Sequence, residues 1–188
     1  YQLIDGTNWT QVGLDIDGGA AGDESGSSVS LSGDGSRVAI GAPYNDDGGL
    51  NAGQVKLYDW NQANSTWIPV GSDINGEAAE EKSGYSVSLS RDGSTVAISA
   101  PYNDGAGGIK ADVGLVRVYQ LIGATWTKLG ADIQGESAYD YSGKSVSLSS
   151  DGSTVAIGSS DNNDDAGHVR VYQLIDGTNW TQVGLDID

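Results

Sequence analysis

Residues 25–43 read SGSSVSLSGDGSRVAIGAP, and the phrase returns as SGYSVSLSRDGSTVAISAP at 83–101 and SGKSVSLSSDGSTVAIGSS at 142–160. Its first half alternates strictly: Val29 and Leu31 fall on one side of an extended chain, Ser28, Ser30 and Ser32 on the other. A period of two predicts a β-strand. The second half, Val38-Ala39-Ile40, is apolar at consecutive positions, which predicts a strand covered on both faces. Between the halves stand Asp34-Gly35, Asp92-Gly93 and Asp151-Gly152. Such a pair closes a tight hairpin because Gly takes positive φ at no steric cost.

Outward from this hairpin, each copy continues through an acidic loop of variable length to a third strand, at 53–58, 114–119 and 167–172. A fourth strand carries a Trp: Trp67 in one copy, with Trp9, Trp126 and Trp180 in the same place elsewhere. The unit is a four-stranded antiparallel meander, and no segment sustains the 3.6-residue apolar period of a helix. Residues 172–188 repeat residues 1–17 without one change, and the phrase recurs from Tyr58 and Tyr119, at spacings of 57, 61 and 53 residues. Fixed self-similarity of this kind marks a repeat architecture. The expected organisation is a partial blade at 1–17, a hairpin of third and fourth strands, then blade repeats at 18–74, 75–133 and 134–188 in one array. The chain starts inside a phrase, without Met, and stops at the same point of a later one, so a longer array is expected.

The side chains are graded across the unit. The first strand alternates Ser with Val and Leu, the second is small and apolar, and the outer two carry aromatic, amide and charged residues. Sheets that converge on an axis need small residues innermost, so an all-β, propeller-like arrangement is expected. A β-sandwich would show one wet face along every strand, and the Val-Ala-Ile strands do not. Val38, Ala39, Ile40, Val96, Ala97, Ile98, Val155, Ala156 and Ile157 are the expected core and assembly residues. Propellers usually need four to eight blades. Three leave two open faces, and either further repeats or self-association would cover them.

Composition narrows the function classes. Gly supplies 29 of 188 residues and Pro only 3, which fits short strands and tight turns rather than a disordered linker. The net charge of −17 argues against nucleic acid and anionic membranes as partners. No apolar run reaches the length of a membrane-spanning helix, so no membrane insertion is expected. There is no Cys, hence no disulfide or thiol chemistry.

The pattern SGxSVSLSxDGSxVAIGAP followed by GxVxVY resembles the FG-GAP repeats of integrin-α-type β-propellers. In that family a GAP tripeptide ends the second strand, as Gly41-Ala42-Pro43 does here. The resemblance covers all three units and implies propeller blades. Ser-Gly stands where the family has Phe-Gly. The family's DxDxDG-type calcium loop is reduced to Gly33-Asp34-Gly35 and its equivalents. One aspartate does not replace a cage of six to eight oxygens, so the family's metal sites do not carry over.

Candidate chemistry lies elsewhere. The acidic loops offer Asp46, Asp47, Asp161, Asp164 and Asp165, beside Asn45, Asn103 and Asp104, as oxygen ligands for Ca²⁺. The same residues are ordinary in exposed turns. Asp15, Asp73 and Asp132 recur in Gly-x-Asp-Ile, and Glu24, Glu80 and Asp140 stand near the next Ser-Gly. A catalytic pair does not normally appear once per repeat, so Asp15, Asp73 and Asp132 are expected to accept backbone hydrogen bonds at a strand end, and no enzyme activity is expected. His168 aligns with Gln54 and Leu115, a tolerant position expected at the surface. Asn8, Asn64 and Asn179 begin N-glycosylation sequons before the recurrent Trp. These observations together predict a non-enzymatic extracellular or cell-surface protein that builds a filament, sheath or appendage by blade stacking. The alternative is a module that binds protein or glycan through its acidic loops, with calcium as an aid.

Overall fold

The computed structural model describes residues 1–3, 6–161 and 166–188. A short hairpin, β1 (Gln2–Leu3) and β2 (Trp9–Thr10), precedes three antiparallel sheets. The first sheet runs β3 (Ser28–Leu31), β4 (Arg37–Ala42), β5 (Gln54–Asn61), β6 (Thr66–Pro69) in spatial order. The second repeats it as β8 (Val87–Leu89), β9 (Thr95–Ala100), β10 (Leu115–Ile122), β11 (Thr125–Lys128). The third is β13 (Ser145–Leu148), β14 (Thr154–Ser159), β15 (His168–Ile175), β16 (Asn179–Gln182). Two short strands, β7 (Ile74–Asn75) and β12 (Ile133–Gln134), pair with β5 and β10 and straddle the expected unit boundaries. No helix occurs among the described residues, and none is long and apolar enough to cross a membrane. The array is all-β and propeller-like, with no closed barrel.

The core lies between sheets rather than within one. Ala39, Val55 and Leu57 of the first blade pack on Val87, Leu89, Val96, Ile98 and Tyr119 of the second. Ala97, Val116 and Val118 of the second pack on Leu148, Val155 and Ile157 of the third. This explains the unbroken apolar run of the second strand: in β9, Val96 and Ile98 face the preceding blade while Ala97 faces the next. Small Ala on one face and larger residues on the other let sheets approach near the axis. Of the expected core residues, Ala156 alone is half-buried, because its face has no following blade.

Each inner hairpin is closed as its sequence predicts. Gly35, Gly93 and Gly152 have φ of 71°, 70° and 72°. The Asp before each Gly gathers the turn: Asp34 Oδ1 accepts hydrogen bonds from Ser36 N, Ser32 Oγ and Ser36 Oγ, and Asp151 repeats this with Ser153 and Ser149. The Ser36 backbone N–H and the two hydroxyls hold the Asp34 carboxyl down at about 2. The Ser149 hydroxyl and Ser153 N–H do the same for Asp151, also at about 2, and Asp92 is likewise lowered by Ser90 and Ser94. A carboxylate with a depressed folded-state pKa adds stability above its unfolded value of about 3.9, and that stability is lost as pH falls toward the folded value. Thermal melting temperature is therefore expected to drop between pH ~4 and ~2, with a shallower drop in the Asp34→Asn, Asp151→Asn double variant. Equal slopes in the two proteins would show that the turns do not contribute.

Candidate functional site

The inner strand of each sheet is an edge, and its outward N–H groups need partners. Serine hydroxyls of the adjacent blade supply them. Leu89 N donates to Ser30 Oγ at 2.9 Å, and Leu148 N donates to Ser88 Oγ at 2.9 Å. Val146 N donates to Ser86 Oγ, and Ser28 Oγ donates to the Gly84 carbonyl. The hairpin tips also join, with the donor N–H now on the earlier blade: Gly33 N donates to Arg91 O and Arg91 N to Ser150 O. The serines that alternate with Val and Leu are thus the rungs between blades.

A second ladder runs along the outer strands. Trp67 Nε1 donates to Val12 O, Trp126 Nε1 to Val70 O, and Trp180 Nε1 to Leu129 O, at 2.8–3.1 Å. The Gly after each acceptor makes room for the ring. A Cβ on Gly71 would lie 2.8 Å from Trp126 Cδ1, and one on Gly130 2.9 Å from Trp180 Cδ1. Both have positive φ, so Gly is required twice over. At Gly184, the fourth member of the series, an added Cβ would meet nothing within 4 Å.

The two ends expose what the inner interfaces bury. Val29 and Leu31 are 64% and 60% exposed, against 7% for each of their counterparts Val87 and Leu89. They border a groove of about 450 Å³ that Leu14, Ile16 and Trp67 also line. At the opposite end Ile187 is 59% exposed where Ile133 is 5%, beside a second groove of about 410 Å³.

Ion pairs brace each third strand. Lys56, Arg117 and Arg170 occupy one repeat position and reach Asp73, Asp132 and Asp186. Contrary to expectation, these aspartates serve a cation of the third strand rather than backbone N–H groups. Arg117 is buried and also holds Glu81 at 2.6 Å; burial opposes its charge, but Glu81, Asp132 and Glu77 raise its pKa above the usual value. The Arg170 guanidinium keeps Asp186 at about 2. The recurrent buried acid before Ser-Gly is Asp23, Glu81 or Asp140, one residue away from Glu24 and Glu80 in the first two copies. Glu24 and Glu80 sit at positive φ, exposed, while Asp23 and Glu81 turn inward.

The acidic loops close on this inward carboxylate. Asn45 Nδ2 donates to Asp23 and Asn103 Nδ2 to Glu81, and both amides are buried. Asp46 accepts from Asn51 N, and Asp47 accepts from Gln54 Nε2. Among the described residues no group of three or more His, Asp or Glu is placed to hold a metal ion. Asp161 lies apart, in the tyrosine cleft, while Asp164 and Asp165 lie outside the described residues. Asn8, Asn64 and Asn179 are exposed at hairpin tips. His168 is buried rather than at the surface, as are Gln54 and Leu115 at its position.

Repeat reading does not reveal a cluster of tyrosines on one rim. Lys82 Nζ lies 4.9 Å and 4.0 Å from the ring centres of Tyr44 and Tyr102. Lys144 Nζ lies about as close to Tyr85, Tyr102 and Tyr141 and donates to the Tyr102 hydroxyl at 3.2 Å. Tyr102, Tyr141 and Lys144, with Tyr139 and Asp161, line a cleft of about 430 Å³. Burial opposes the Lys144 charge, but the Tyr102 hydroxyl and nearby Asp161 raise its pKa.

Residues 9–58, from the Trp of the first hairpin to Tyr58 of the third strand, match the FG-GAP repeat family. This segment is similar to an FG-GAP repeat. It runs from the fourth strand of one blade to the third strand of the next, so the FG-GAP unit crosses a blade boundary. No curated protein matches the chain. Among solved structures it is similar to a 6-phosphogluconolactonase candidate from Bacteroides uniformis, with 12% identity and a TM-score of 0.57 over 84% of this chain and 39% of that one. It is also similar to Sqt1 of Saccharomyces cerevisiae, with 15% identity and a TM-score of 0.55 over 87% of this chain and 35% of that one. These likenesses show the fold, and the chain spans less than two-fifths of either protein.

Trp126→Phe keeps a ring but removes the N–H that reaches Val70 O, so it is expected to cost about 1 kcal/mol in urea denaturation. Trp9→Phe, which changes an exposed ring with no such acceptor among the described residues, is expected to stay within ~0.5 kcal/mol. Equal losses would mean that the outer ladder is not a stabilising contact.

Proposed function

We propose that this chain is a non-enzymatic structural repeat protein, working outside the cell or at its surface, that builds an extended assembly by blade-to-blade stacking. One observation carries the reading: the two end faces expose the same positions that the internal interfaces bury, and they are complementary. Large Val29 and Leu31 at one end correspond to residues that sit on small Ala39 or Ala97 within the array, and Ala156 at the other end offers that same shallow surface. Burying such side chains contributes roughly 1.5–3 kcal/mol each. An open face of this kind favours continuation, whether by further blades or by another molecule. The recurring carboxylates are engaged in ion pairs and loop closure, which supports a role without catalysis.

A second reading has its own observation. The tyrosine cleft with Lys144, and with Lys82 over the Tyr102 ring, offers flat rings and cations in an otherwise acidic protein, which suits recognition of a glycan that carries carboxylates. It replaces the acidic loops as the binding surface of a recognition module.

Leu31→Glu places a charge on the exposed end face and should leave the fold intact. It is expected to abolish concentration-dependent association in sedimentation velocity, while an unchanged profile would remove the stacking reading. For the second reading, calorimetric titration with a uronate-containing oligosaccharide should give heat that Lys144→Ala reduces at least about tenfold in affinity; no heat with the parent protein would dismiss it.

A further inference from the structure

The tyrosine rim is built from one repeated turn. Lys82 to Tyr85 and Tyr141 to Lys144 are equivalent segments that each lead into the first strand of a blade. In each, the N–H of the fourth residue donates to the carbonyl of the first, at 3.2 Å and 3.1 Å. The first residue takes a left-handed backbone, with φ of 54° at Lys82 and 48° at Tyr141. Residues other than glycine seldom adopt that conformation, and it persists only where the surrounding structure holds it. The two turns carry the same pair of side chains in opposite order, Lys then Tyr and Tyr then Lys. All four meet one ring, that of Tyr102: the lysines lie over it, and Tyr85 and Tyr141 meet it edge to face with ring centres 6.0 Å and 5.4 Å away. Lys82 extends the row to Tyr44 of the first blade, and Tyr139 extends it beyond Tyr141. The row therefore crosses three blades, with one lysine at each seam.

These two lysines differ from most of the other cations in their partners. Arg37, Lys56, Arg117, Lys128 and Arg170 pair with carboxylates. Among the described residues Lys82 and Lys144 form no ion pair, in a chain with 26 acidic residues. Distances of 4.0 Å and 4.9 Å from the centre of the same Tyr102 ring place their ammonium groups less than 9 Å apart. We propose that the row is a binding track for a linear acidic polysaccharide, with one carboxylate seated at Lys82, another at Lys144, and the sugar faces on the tyrosine rings. This rests on the recognition reading and specifies its ligand as a chain held at two seams rather than a single acidic sugar held at one. A densely charged polymer such as nucleic acid is disfavoured by the net charge of −17. A polysaccharide spaces its carboxylates along uncharged rings, as the rim spaces its ammonium groups along tyrosines. Asp161 occupies, in the third copy, the place of Tyr44 and Tyr102, and its carboxylate ends the track by repelling an anionic chain.

Two seats on one chain turn the second contact into an intramolecular event, so affinity rises with ligand length once both are spanned. Calorimetric titration at low ionic strength would compare galacturonate, tetragalacturonate and the methyl-esterified tetramer, with melting curves to confirm that each variant is folded. The parent chain is expected to bind tetragalacturonate at least about tenfold more tightly than galacturonate, and Lys82→Ala to remove most of that gain. If the tetramer binds no more tightly than the monomer, or Lys82→Ala leaves the gain intact, the track is overturned while recognition at Lys144 stands. If no ligand gives heat, or the uncharged ester binds as tightly as the acid, both are overturned.

Discussion

The innermost strand of each blade sets the terms for the rest of the structure. It is a sheet edge that points toward an axis, where space is scarce and outward N–H groups have little access to water. Serine answers both demands, since it is small and its hydroxyl accepts from the next blade's backbone. A larger residue at Ser30 or Ser88 would push the sheets apart, and Ala would leave a buried donor unpaired at a cost of roughly 1–3 kcal/mol. The alternation of Ser with Val and Leu follows: one face gives hydroxyl rungs to the following blade, the other gives apolar surface to the preceding one.

That asymmetry gives each blade a front and a back. Large residues of one blade's back lie on small residues of its neighbour's front, and the outer ladder adds a Trp directed the same way. Polarity is thus built into every interface. The ion pairs act elsewhere, holding the third strand and the loops around it, where Arg117 gathers Glu81, Asp132 and Glu77. Of the acid residues that suggest metal or catalytic chemistry in the sequence, Asp73 and Asp132 are engaged in that bracing, and Asp46 and Asp47 in hydrogen bonds of their loop.

Where the sequence misleads, the cause is local. It points to Glu24 and Glu80 as the recurrent acid before Ser-Gly because adjacent acids at 23–24 and 80–81 cannot be distinguished by composition. Only the positive φ of the second acid in the first pair, and of the first in the other, decides which turns inward. His168 reads as tolerant and superficial because Gln54 and Leu115 share its position, yet tolerance there reflects three different ways of filling a buried site. The partner of Asp132 and Asp186 is legible, since Lys56, Arg117 and Arg170 align. The tyrosine cleft is not. Tyr44 and Tyr102 share a repeat position, but Tyr85 and Tyr141 belong to others, and they meet only when neighbouring blades are stacked.

By itself the sequence determined the strands, their order and their turns, because alternation, the Asp-Gly pair and the repeat spacing act over a few residues. It also determined that the unit is repeated, and the internal alignment showed which positions carry small, large or aromatic residues. The tertiary structure alone decided which blade each serine and each Trp would reach, since those bonds cross between units some 51 to 60 residues apart. It alone showed that Val29, Leu31 and Ile187 remain uncovered. Burial belongs to a pair of surfaces rather than to a residue, and the identical sequences at 1–17 and 172–188 have different neighbours.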